Sequence, residues 1–456
     1  MLRRAGWRLA GYRETARLYR IKSGSFPNLS AKVFHERDIP IQVAIGNYDL
    51  GICGSDWIEE LLVKYPSSAL LKVRNLEYAE GALYAAASRA EGASTVEEVQ
   101  AKTDIIRIVS EYPNLAESLA LNLRLRRFSI FPLWGAAEVY PPENADLALV
   151  CGTAEELPDY GLVPLREVLS ISAFLIANRS SWEAKNMSEV TASLEDALIP
   201  KSAITRLAGE KRPPATSALS KPEIQYPANE AVRLALPDGH QQLPTLQLLN
   251  KAGIHLDDYP SDTGNRRPTT DLPGVTIKVI RPQDMPLQVA NGNFDLAITG
   301  RDWLREHLYQ FPSSPVAELF DLKLGKVKIV AVVSQDLSAD DAPSLRAFNA
   351  ERAAPLRVAS EYVNIADKYA RDNHLSLYRV VPTWGASEAF LPEDADLLIE
   401  NTQTGRTIAR HNLKIIDTLF ESTACLIGNA NRVSNAVKRE RIKSIIKALQ
   451  MGVEGS

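Results

Sequence analysis

The strongest constraint on the fold of this chain is an internal repeat. Four segments of its first half recur in the same order in its second half, at an offset of 246 to 251 residues. The matching pairs are Asp38–Ile58 with Asp284–Leu304, Ser110–Ala120 with Ser360–Ala370, Leu133–Leu149 with Thr383–Ile399, and Ile171–Asn178 with Ser422–Asn429. A repeat of this length indicates that one folding unit occurs twice. We predict an N-terminal unit at residues 1–207 and a C-terminal unit at residues 229–456.

The two predicted units are separated by residues 208–228, which are rich in proline, serine, alanine and charge and show no apolar periodicity. This composition predicts an extended linker. A long exposed loop within a single domain is the alternative, although structureless loops of this length are uncommon in compact domains.

Composition narrows the class of protein. The net charge of −4 argues against a protein that holds nucleic acid by bulk charge, and the chain shows no apolar run of transmembrane length. The basic N-terminus lacks the apolar core of a signal peptide. Three distant cysteines, Cys53, Cys151 and Cys425, suit neither a zinc site nor a disulfide framework. We therefore predict a cytoplasmic protein without nucleic-acid or membrane partners.

The C-terminal unit reads as alternating strands and helices. Val232–Pro237 is a short apolar run ended by the Asp238-Gly239 turn, and apolar residues at helical spacing follow up to Gly253. Further strands are predicted at Val275–Ile280, Asp295–Thr299, Lys328–Val333, Leu356–Ser360 and Asp396–Glu400. This alternation predicts the α/β class, with mainly parallel sheets and helices on both faces. Ligands of such sheets bind beyond the carboxyl ends of the strands.

The segment Glu400–Ile408 is the best candidate for a ligand site. It follows a strand, and Thr402, Thr404 and Thr407 offer hydroxyl groups. Gly405 allows close approach of the backbone, amides at a following helix N-terminus favour an anion, and Arg406 adds a charge-assisted bond. Together these features suit a phosphomonoester. Taken alone, the segment could equally be a threonine-rich turn and helix cap without a ligand.

Three weaker candidates accompany this loop. The turn Leu236–Gly239 joins a strand to a helix, and Ser360–Tyr362 directly follows another strand. The third candidate is the turn Trp384–Glu388, whose acidic residue could contact ribose hydroxyls. A glutamate in the first turn of a helix is the alternative for Glu388.

In combination, these segments resemble the catalytic part of ATP phosphoribosyltransferase, the first enzyme of histidine biosynthesis. The resemblance covers nearly all of both units except the linker, and its most specific part is the T-G-x-T loop. The segments that carry it are Leu234–Gly239, Met285-Pro286, Asp295–Gly300, Ser360–Ile365, Gly385–Glu388, Thr404–Thr407 and Ala424–Ile427.

The resemblance implies tandem two-lobed units like type II periplasmic binding proteins, with a site between the lobes. In the C-terminal unit, residues 229–334 and the C-terminal helices would form the first lobe, and residues 340–421 the second. The implied reaction joins ATP to phosphoribosyl pyrophosphate with Mg²⁺ present, without a catalytic side chain. The implied substrate-binding residues are Asp238, Gly239, Lys328, Glu361, Tyr362, Glu388, Thr402, Thr404, Gly405, Arg406 and Thr407. A second copy of the chain or a regulatory subunit is a further implied partner.

The chain departs from the family pattern at several positions. His240-Gln241 stands where the family has Arg-Leu, and Lys328 stands where an arginine is expected. The N-terminal unit departs further, because Glu155 and Glu156 lie in its loop and Ala82 is its counterpart of Lys328. Two carboxylates would repel a phosphate, so we predict that the N-terminal unit is catalytically silent.

These departures leave other functions open. A tandem pseudoenzyme could sense a nucleotide or sugar phosphate, or regulate a catalytic subunit. A two-lobed solute-binding protein is a third possibility, against which the lack of a signal peptide counts.

The repeat also bears on the start of the chain. Leu2–Gly6 aligns with Leu249–Gly253, so the N-terminal unit lacks a partner for Val232–Leu248. Either the true start codon lies upstream, which we favour, or this unit has decayed and relies on another part to cover the gap.

Overall fold

A computed structural model describes residues 1–9, 12, 19–90, 93–198, 230–429 and 435–454. The predicted linker at residues 208–228 lies outside the described residues. The unit boundaries at residues 207 and 229 also fall there, so they stay predictions.

The N-terminal unit alternates short strands and helices, as the repeat predicts. Its strands are β1 (Arg20–Lys22), β2 (Ser30–Lys32), β3 (Leu50–Gly54), β4 (Leu70–Asn75), β5 (Gly81–Ser88), β6 (Ile106–Ser110), β7 (Phe128–Pro132), β8 (Leu147–Gly152), β9 (Leu162–Ile171) and β10 (Ala173–Asn178). Its helices are α1 (Asp38–Ala44), α2 (Ser55–Lys64), α3 (Val96–Ala101), α4 (Pro113–Asn122), α5 (Arg179–Ala184) and α6 (Ser188–Asp196).

The C-terminal unit repeats much of this order, with two long strands, β16 and β20, where the N-terminal unit has the pairs β4 and β5 and β9 and β10. Its strands are β11 (Val232–Pro237), β12 (Leu256–Asp257), β13 (Thr269–Thr270), β14 (Val275–Ile280), β15 (Leu296–Gly300), β16 (Val316–Ser334), β17 (Leu356–Ser360), β18 (Tyr378–Pro382), β19 (Leu397–Thr402) and β20 (Leu413–Asn429). Its helices are α7 (Gln242–Lys251), α8 (Met285–Ala290), α9 (Arg301–Gln310), α10 (Ala342–Ala350), α11 (Val363–Asp372), α12 (Arg406–Arg410) and α13 (Ala436–Glu454).

One eight-stranded sheet runs through both lobes of the C-terminal unit, in the order β14-β11-β15-β20-β16-β19-β17-β18. The outer strands pair in parallel at each end, as β14, β11 and β15 in the first lobe and as β19, β17 and β18 in the second. The long antiparallel pair β16 and β20 crosses between the lobes. The predicted α/β class and two-lobed layout are therefore confirmed.

The crossing strand changes one predicted lobe boundary. The sequence indicated a strand only at Lys328–Val333 and assigned it to the first lobe. In the structure this stretch is the second half of β16, and Lys328–Val332 pairs antiparallel with β19 of the second lobe. The first lobe therefore ends near Gly325, where β16 shifts register against β20.

The described strands of the N-terminal unit fall into three sheets, one of which is only the pair β1-β2. Its second lobe holds the order β7-β6-β8-β5-β9, which matches the second lobe of the C-terminal unit. Its first lobe holds only β3-β10-β4, all antiparallel, and β2 pairs with β1 instead of joining this sheet. The strand β3 is thus an edge strand, whereas its counterpart β15 is paired on both sides.

The two units pack reciprocally, so that each first lobe lies on the second lobe of the other unit. Lys32 donates hydrogen bonds to Glu393 (2.9 Å) and Asp394 (2.6 Å) of the other unit. Its counterpart Lys278 donates to Glu143 (2.8 Å) and to Asn144 (2.7 Å).

This exchange of equivalent contacts is the mark of an isologous interface. The chain is therefore an internal pseudo-dimer with an approximate two-fold axis between its units. The apolar contacts between the units also occur at equivalent positions. Phe34 of the N-terminal unit packs on Phe390, with ring centres 5.1 Å apart, while Tyr140 shares a buried cluster with Ile280 and Met285.

In the part of the chain that the structure describes, no helix is both long enough and apolar enough to cross a membrane.

Candidate functional site

The threonine-rich loop of the C-terminal unit lines a cavity of about 330 Å³ at the end of β19. Five of the eleven residues predicted to bind a phosphorylated substrate line it: Glu388, Thr402, Thr404, Arg406 and Thr407. The lining residues are Glu388, Glu400, Asn401, Thr402, Gln403, Thr404, Arg406, Thr407 and Ile408. The structure thus brings Glu388 and the loop together, although they are separated by more than ten residues of sequence.

The backbone of this loop depends on a glycine. Gly405 has φ +70°, in the left-handed region that side chains with a Cβ rarely adopt, and it caps the short helix α12. Its N–H donates to the Thr402 hydroxyl at 2.9 Å, which closes the loop on itself. The helical run that the sequence predicted after this loop is only five residues long. Anion binding would therefore rest on the loop itself more than on a helix dipole.

Three glutamates cluster beside the cavity. Withdrawal from water raises the pKa of Glu361 to about 7, and the neighbouring charge of Glu388 adds to the rise. Burial, Glu361 and Glu388 together raise the pKa of Glu400 well above its ordinary value. Glu361 and Glu388 were among the residues predicted to bind substrate, and Glu400 was not. A comparison of the two units could have indicated Glu400, because the N-terminal unit has Val150 at the matching end of β8.

This cluster predicts a pH dependence of stability. A carboxyl whose pKa is raised from 4.5 to about 7 on folding stabilises the folded state at low pH and loses that contribution as the pH rises toward 7. We expect Glu361→Gln to raise the free energy of unfolding at pH 7.5 by about 1 kcal/mol or more, and to change it little at pH 4.5. Urea unfolding of both proteins at the two pH values measures the difference. An equal change at both pH values would contradict the assignment.

Tyr362 lies at the contact between the two lobes. It is 1% exposed, and its hydroxyl donates to Asp302 of the first lobe at 2.7 Å. Asn401, in the cavity wall, donates to the same hydroxyl at 3.1 Å. Asp302 is in turn fixed by the hydroxyl of Ser422 (2.7 Å). Tyr362 therefore ties the first lobe to the cavity wall, while its predicted contact with substrate stays a prediction.

The structure does not bring Asp238, Gly239 or Lys328 into the wall of this cavity. Asp238 and Gly239 follow β11 in the first lobe, and Gly239 has φ +71°. Asp238 is ion-paired with Arg266 and Arg281, each at 3.2 Å. Lys328 is exposed on β16, directly opposite Thr402 of the loop. The sequence did not indicate Arg266 or Arg281, because nothing local marks either as the partner of Asp238.

The matching loop of the N-terminal unit is closed by its own side chain. The Glu156 carboxylate accepts a hydrogen bond from the backbone N–H of Thr153 at 3.0 Å, so it takes a donor that an anion would need. Ala82 lies opposite Gly152 in the sheet, in the same register that Lys328 holds opposite Thr402. These features support the predicted silence of this unit.

A larger cavity, of about 620 Å³, lies elsewhere in the first lobe of the C-terminal unit. Apolar residues such as Ile254, Val275 and Ile445 line it beneath helix α13. None of the predicted site residues is part of its wall, and its apolar lining does not suit a phosphate.

Both units of the chain match one family of known proteins. The family model of ATP phosphoribosyltransferase (HisG) matches residues 35–196 and 281–451. The ATP phosphoribosyltransferase of Prosthecochloris aestuarii is 32% identical over 228 residues, which are 49% of this chain and 72% of that protein. The enzyme of the same name from Saccharolobus solfataricus is 35% identical over 207 residues, 45% of this chain and 66% of that protein.

Two solved structures align with about half of the chain. The ATP phosphoribosyl transferase (HisG:HisZ) complex from Thermotoga maritima aligns at 22% identity and a TM-score of 0.40, covering 49% of this chain and all of that chain. The periplasmic aliphatic sulphonate binding protein SsuA from Escherichia coli aligns at 13% identity and a TM-score of 0.33, covering 49% of this chain and 72% of that chain. The family match, by contrast, spans most of both units. The chain belongs to the ATP phosphoribosyltransferase family.

Proposed function

We propose that this chain is an ATP phosphoribosyltransferase of histidine biosynthesis, with its working site in the C-terminal unit. It would join N1 of the adenine of ATP to C1′ of phosphoribosyl pyrophosphate and release pyrophosphate. The observation that carries the proposal is the cavity in which Glu388, Glu400 and the loop Thr402–Thr407 meet, in a chain of this family.

The polar groups of the cavity suit the two ends of a ribose phosphate. The hydroxyls of Thr402, Thr404 and Thr407 and the loop amides would bind the 5′-phosphate, and Arg406 would add a charge-assisted bond. Glu388 and Glu400 would accept hydrogen bonds from the ribose hydroxyls.

The chemical step needs no nucleophile from the protein. The lone pair of adenine N1 forms the new bond to C1′ while the bond from C1′ to the pyrophosphate oxygen breaks, and pyrophosphate leaves with that electron pair. The adenine amino group then loses a proton to restore neutrality. Catalysis would consist of holding N1 in line with the breaking bond and of stabilising the departing charge. Lys328, which is exposed beside Thr402, and Gly239 are the positions that we propose for the pyrophosphate.

The family reaction is expected to use Mg²⁺. Within the described residues, no group of three or more histidine, cysteine, aspartate or glutamate side chains is placed to hold a metal ion. Mg²⁺ is commonly bound through substrate phosphates with few protein ligands. We therefore propose that it accompanies the pyrophosphate of the substrate, and we assign no protein residue to it.

A tandem pseudoenzyme that senses a nucleotide or sugar phosphate is the alternative, and it is less well supported. It would explain the closed loop at Glu156, but the C-terminal cavity has the carboxylates and hydroxyls that a sugar phosphate requires.

We propose that this chain works in the cytoplasm. A regulatory subunit or a second copy of the chain remains a proposed partner.

The direct test is a turnover assay with the full-length chain, ATP, phosphoribosyl pyrophosphate and Mg²⁺. We expect an ultraviolet-absorbing adduct whose mass equals ATP plus phosphoribose, together with one pyrophosphate for each adduct. Omitting either substrate serves as the control. A folded protein that binds phosphoribosyl pyrophosphate but forms no adduct would favour the pseudoenzyme.

A further inference from the structure

Arg37 of the N-terminal unit reaches into the C-terminal unit. Its guanidinium lies between two indole rings, 4.6 Å from the ring centre of Trp57 in its own unit and 4.9 Å from that of Trp384 in the other. A cation over an aromatic face is attracted by the ring quadrupole, and arginine adds planar stacking. Arg37 thus joins the two units at Trp384, where the backbone N–H of Trp384 also donates to Asp38.

The N-terminal unit fixes its side of this contact. Arg37 donates to the backbone carbonyl of Glu111 at 3.0 Å, which holds the guanidinium against its own unit. Trp57 is itself packed on Tyr112, with ring centres 4.3 Å apart. Arg37 therefore presents a fixed face to Trp384.

Trp384 begins the turn that carries Glu388 into the cavity. Gly385 follows with φ +125° and Ala386 with φ +50°, and the short helical turn Ser387–Phe390 comes next. The matching turn of the N-terminal unit has the same conformation, with Ala136 at φ +63°, so the conformation itself does not depend on Arg37. The contact of Arg37 with Trp384 bears instead on where the whole turn, and with it Glu388, lies.

A second contact from the N-terminal unit leads through two aromatic rings to the wall of the same cavity. Trp134 packs on Trp303 of the C-terminal unit, with ring centres 5.8 Å apart, and Trp303 packs on Tyr362 at 4.3 Å. The Tyr362 hydroxyl then contacts Asn401 in the cavity wall.

The pseudo-two-fold relation shows that the arginine contact is one-sided. The residue equivalent to Arg37 in the C-terminal unit is Gln283, which has no charge to place against Trp134. An arginine stacked on the tryptophan is therefore found only at the turn of the C-terminal unit among the described residues. The turn of the N-terminal unit meets other cations, because Arg281 lies against Gly135 and Arg266 pairs with Glu138 at 3.2 Å.

We infer that Arg37 is a positioning residue of the C-terminal site. The N-terminal unit, whose own loop is closed by Glu156, is then a working part of the other unit's site. This inference rests on the proposed function, because it concerns the binding of phosphoribosyl pyrophosphate.

The test uses full-length variants. We expect Arg37→Ala to lower kcat/KM for phosphoribosyl pyrophosphate roughly tenfold, mainly through KM, because the turn that carries Glu388 loses its support. Arg37→Lys keeps the charge but not the planar stack, so it should recover only part of the loss. Arg267→Ala is the matched control. That arginine also crosses the interface, to Glu143 at 2.8 Å, but it lies away from Trp384, and its kcat/KM should stay within about twofold of the wild-type value.

The dissociation constant of phosphoribosyl pyrophosphate, measured by calorimetry, should follow KM in the three variants. An Arg37→Ala protein with the wild-type KM and dissociation constant would overturn the inference, and so would equal losses in Arg37→Ala and Arg267→Ala. Weaker binding in Arg37→Ala alone, with no turnover in any variant including wild type, would support the inference and contradict only the proposed reaction.

Discussion

Replacing Lys32 with methionine is expected to lower the free energy of unfolding by about 3–5 kcal/mol. The Lys32 ammonium and the Asp394 carboxylate lie 2.6 Å apart across the interface between the units, with side chains 5% and 4% exposed. Removing the lysine leaves a buried carboxylate whose one remaining side-chain donor, among the residues that the structure describes, is the Tyr48 hydroxyl at 2.9 Å. Urea unfolding followed by tryptophan fluorescence measures the change.

Two further variants show whether the loss comes from the unpaired charge. Lys72→Met removes a partner of Glu59 from an ion pair that is 41% and 25% exposed, and it should cost less than about 1 kcal/mol. Adding Asp394→Asn to Lys32→Met should restore part of the stability, because the N-terminal unit itself has the neutral Asn144 at that position. A loss that is equal for Lys32→Met and Lys72→Met would mean that burial of the pair does not matter.

Replacing Gly405 with valine is expected to weaken the binding of phosphoribosyl pyrophosphate by at least about tenfold. Valine at φ +70° is strained by about 1–2 kcal/mol, so the loop would move away from the conformation that its amides and hydroxyls require. Thr404→Ala should have a smaller effect, of roughly three- to tenfold, because it removes one hydroxyl and leaves the backbone unchanged. Calorimetric titration with phosphoribosyl pyrophosphate measures both losses.

The N-terminal loop provides the matched controls. Gly152→Val places a Cβ 3.4 Å from the Glu156 carboxylate, at a backbone conformation that does not require glycine. Neither this change nor Thr153→Ala should alter the affinity. Equal losses from both loops would show that the N-terminal unit also holds a working site.

Much of the fold could be predicted because the repeat presents the same apolar pattern twice. The bounds of β11, β14 and β17 agree with the predicted strands to the residue. The length of β16 was missed, because Gly325 interrupts its apolar pattern and its pairing partner β20 lies about 90 residues further along the chain. Local pattern does not show a partner so far away in sequence.

The part of the candidate site that is contiguous in the sequence could be predicted, and the part that depends on distant contacts could not. The loop Thr402–Thr407 is contiguous, so its chemistry is readable from the sequence. Glu400 lies two residues before this loop, but a single carboxylate near the end of a strand is not distinctive until it is compared with Val150. The contacts of Arg37 and Trp134 with the other unit depend on how the two units pack, which neither the repeat nor the motifs determine.

The number of phosphoribosyl pyrophosphate molecules that each chain binds tests most directly whether the C-terminal unit holds the single working site. Equilibrium dialysis of the full-length protein against labelled phosphoribosyl pyrophosphate and Mg²⁺ gives the number of molecules bound at saturation. We predict one molecule for each chain, lost in Gly405→Val and kept in Gly152→Val. Two molecules for each chain, or one that survives Gly405→Val and is lost in Gly152→Val, would contradict a single working site in the C-terminal unit.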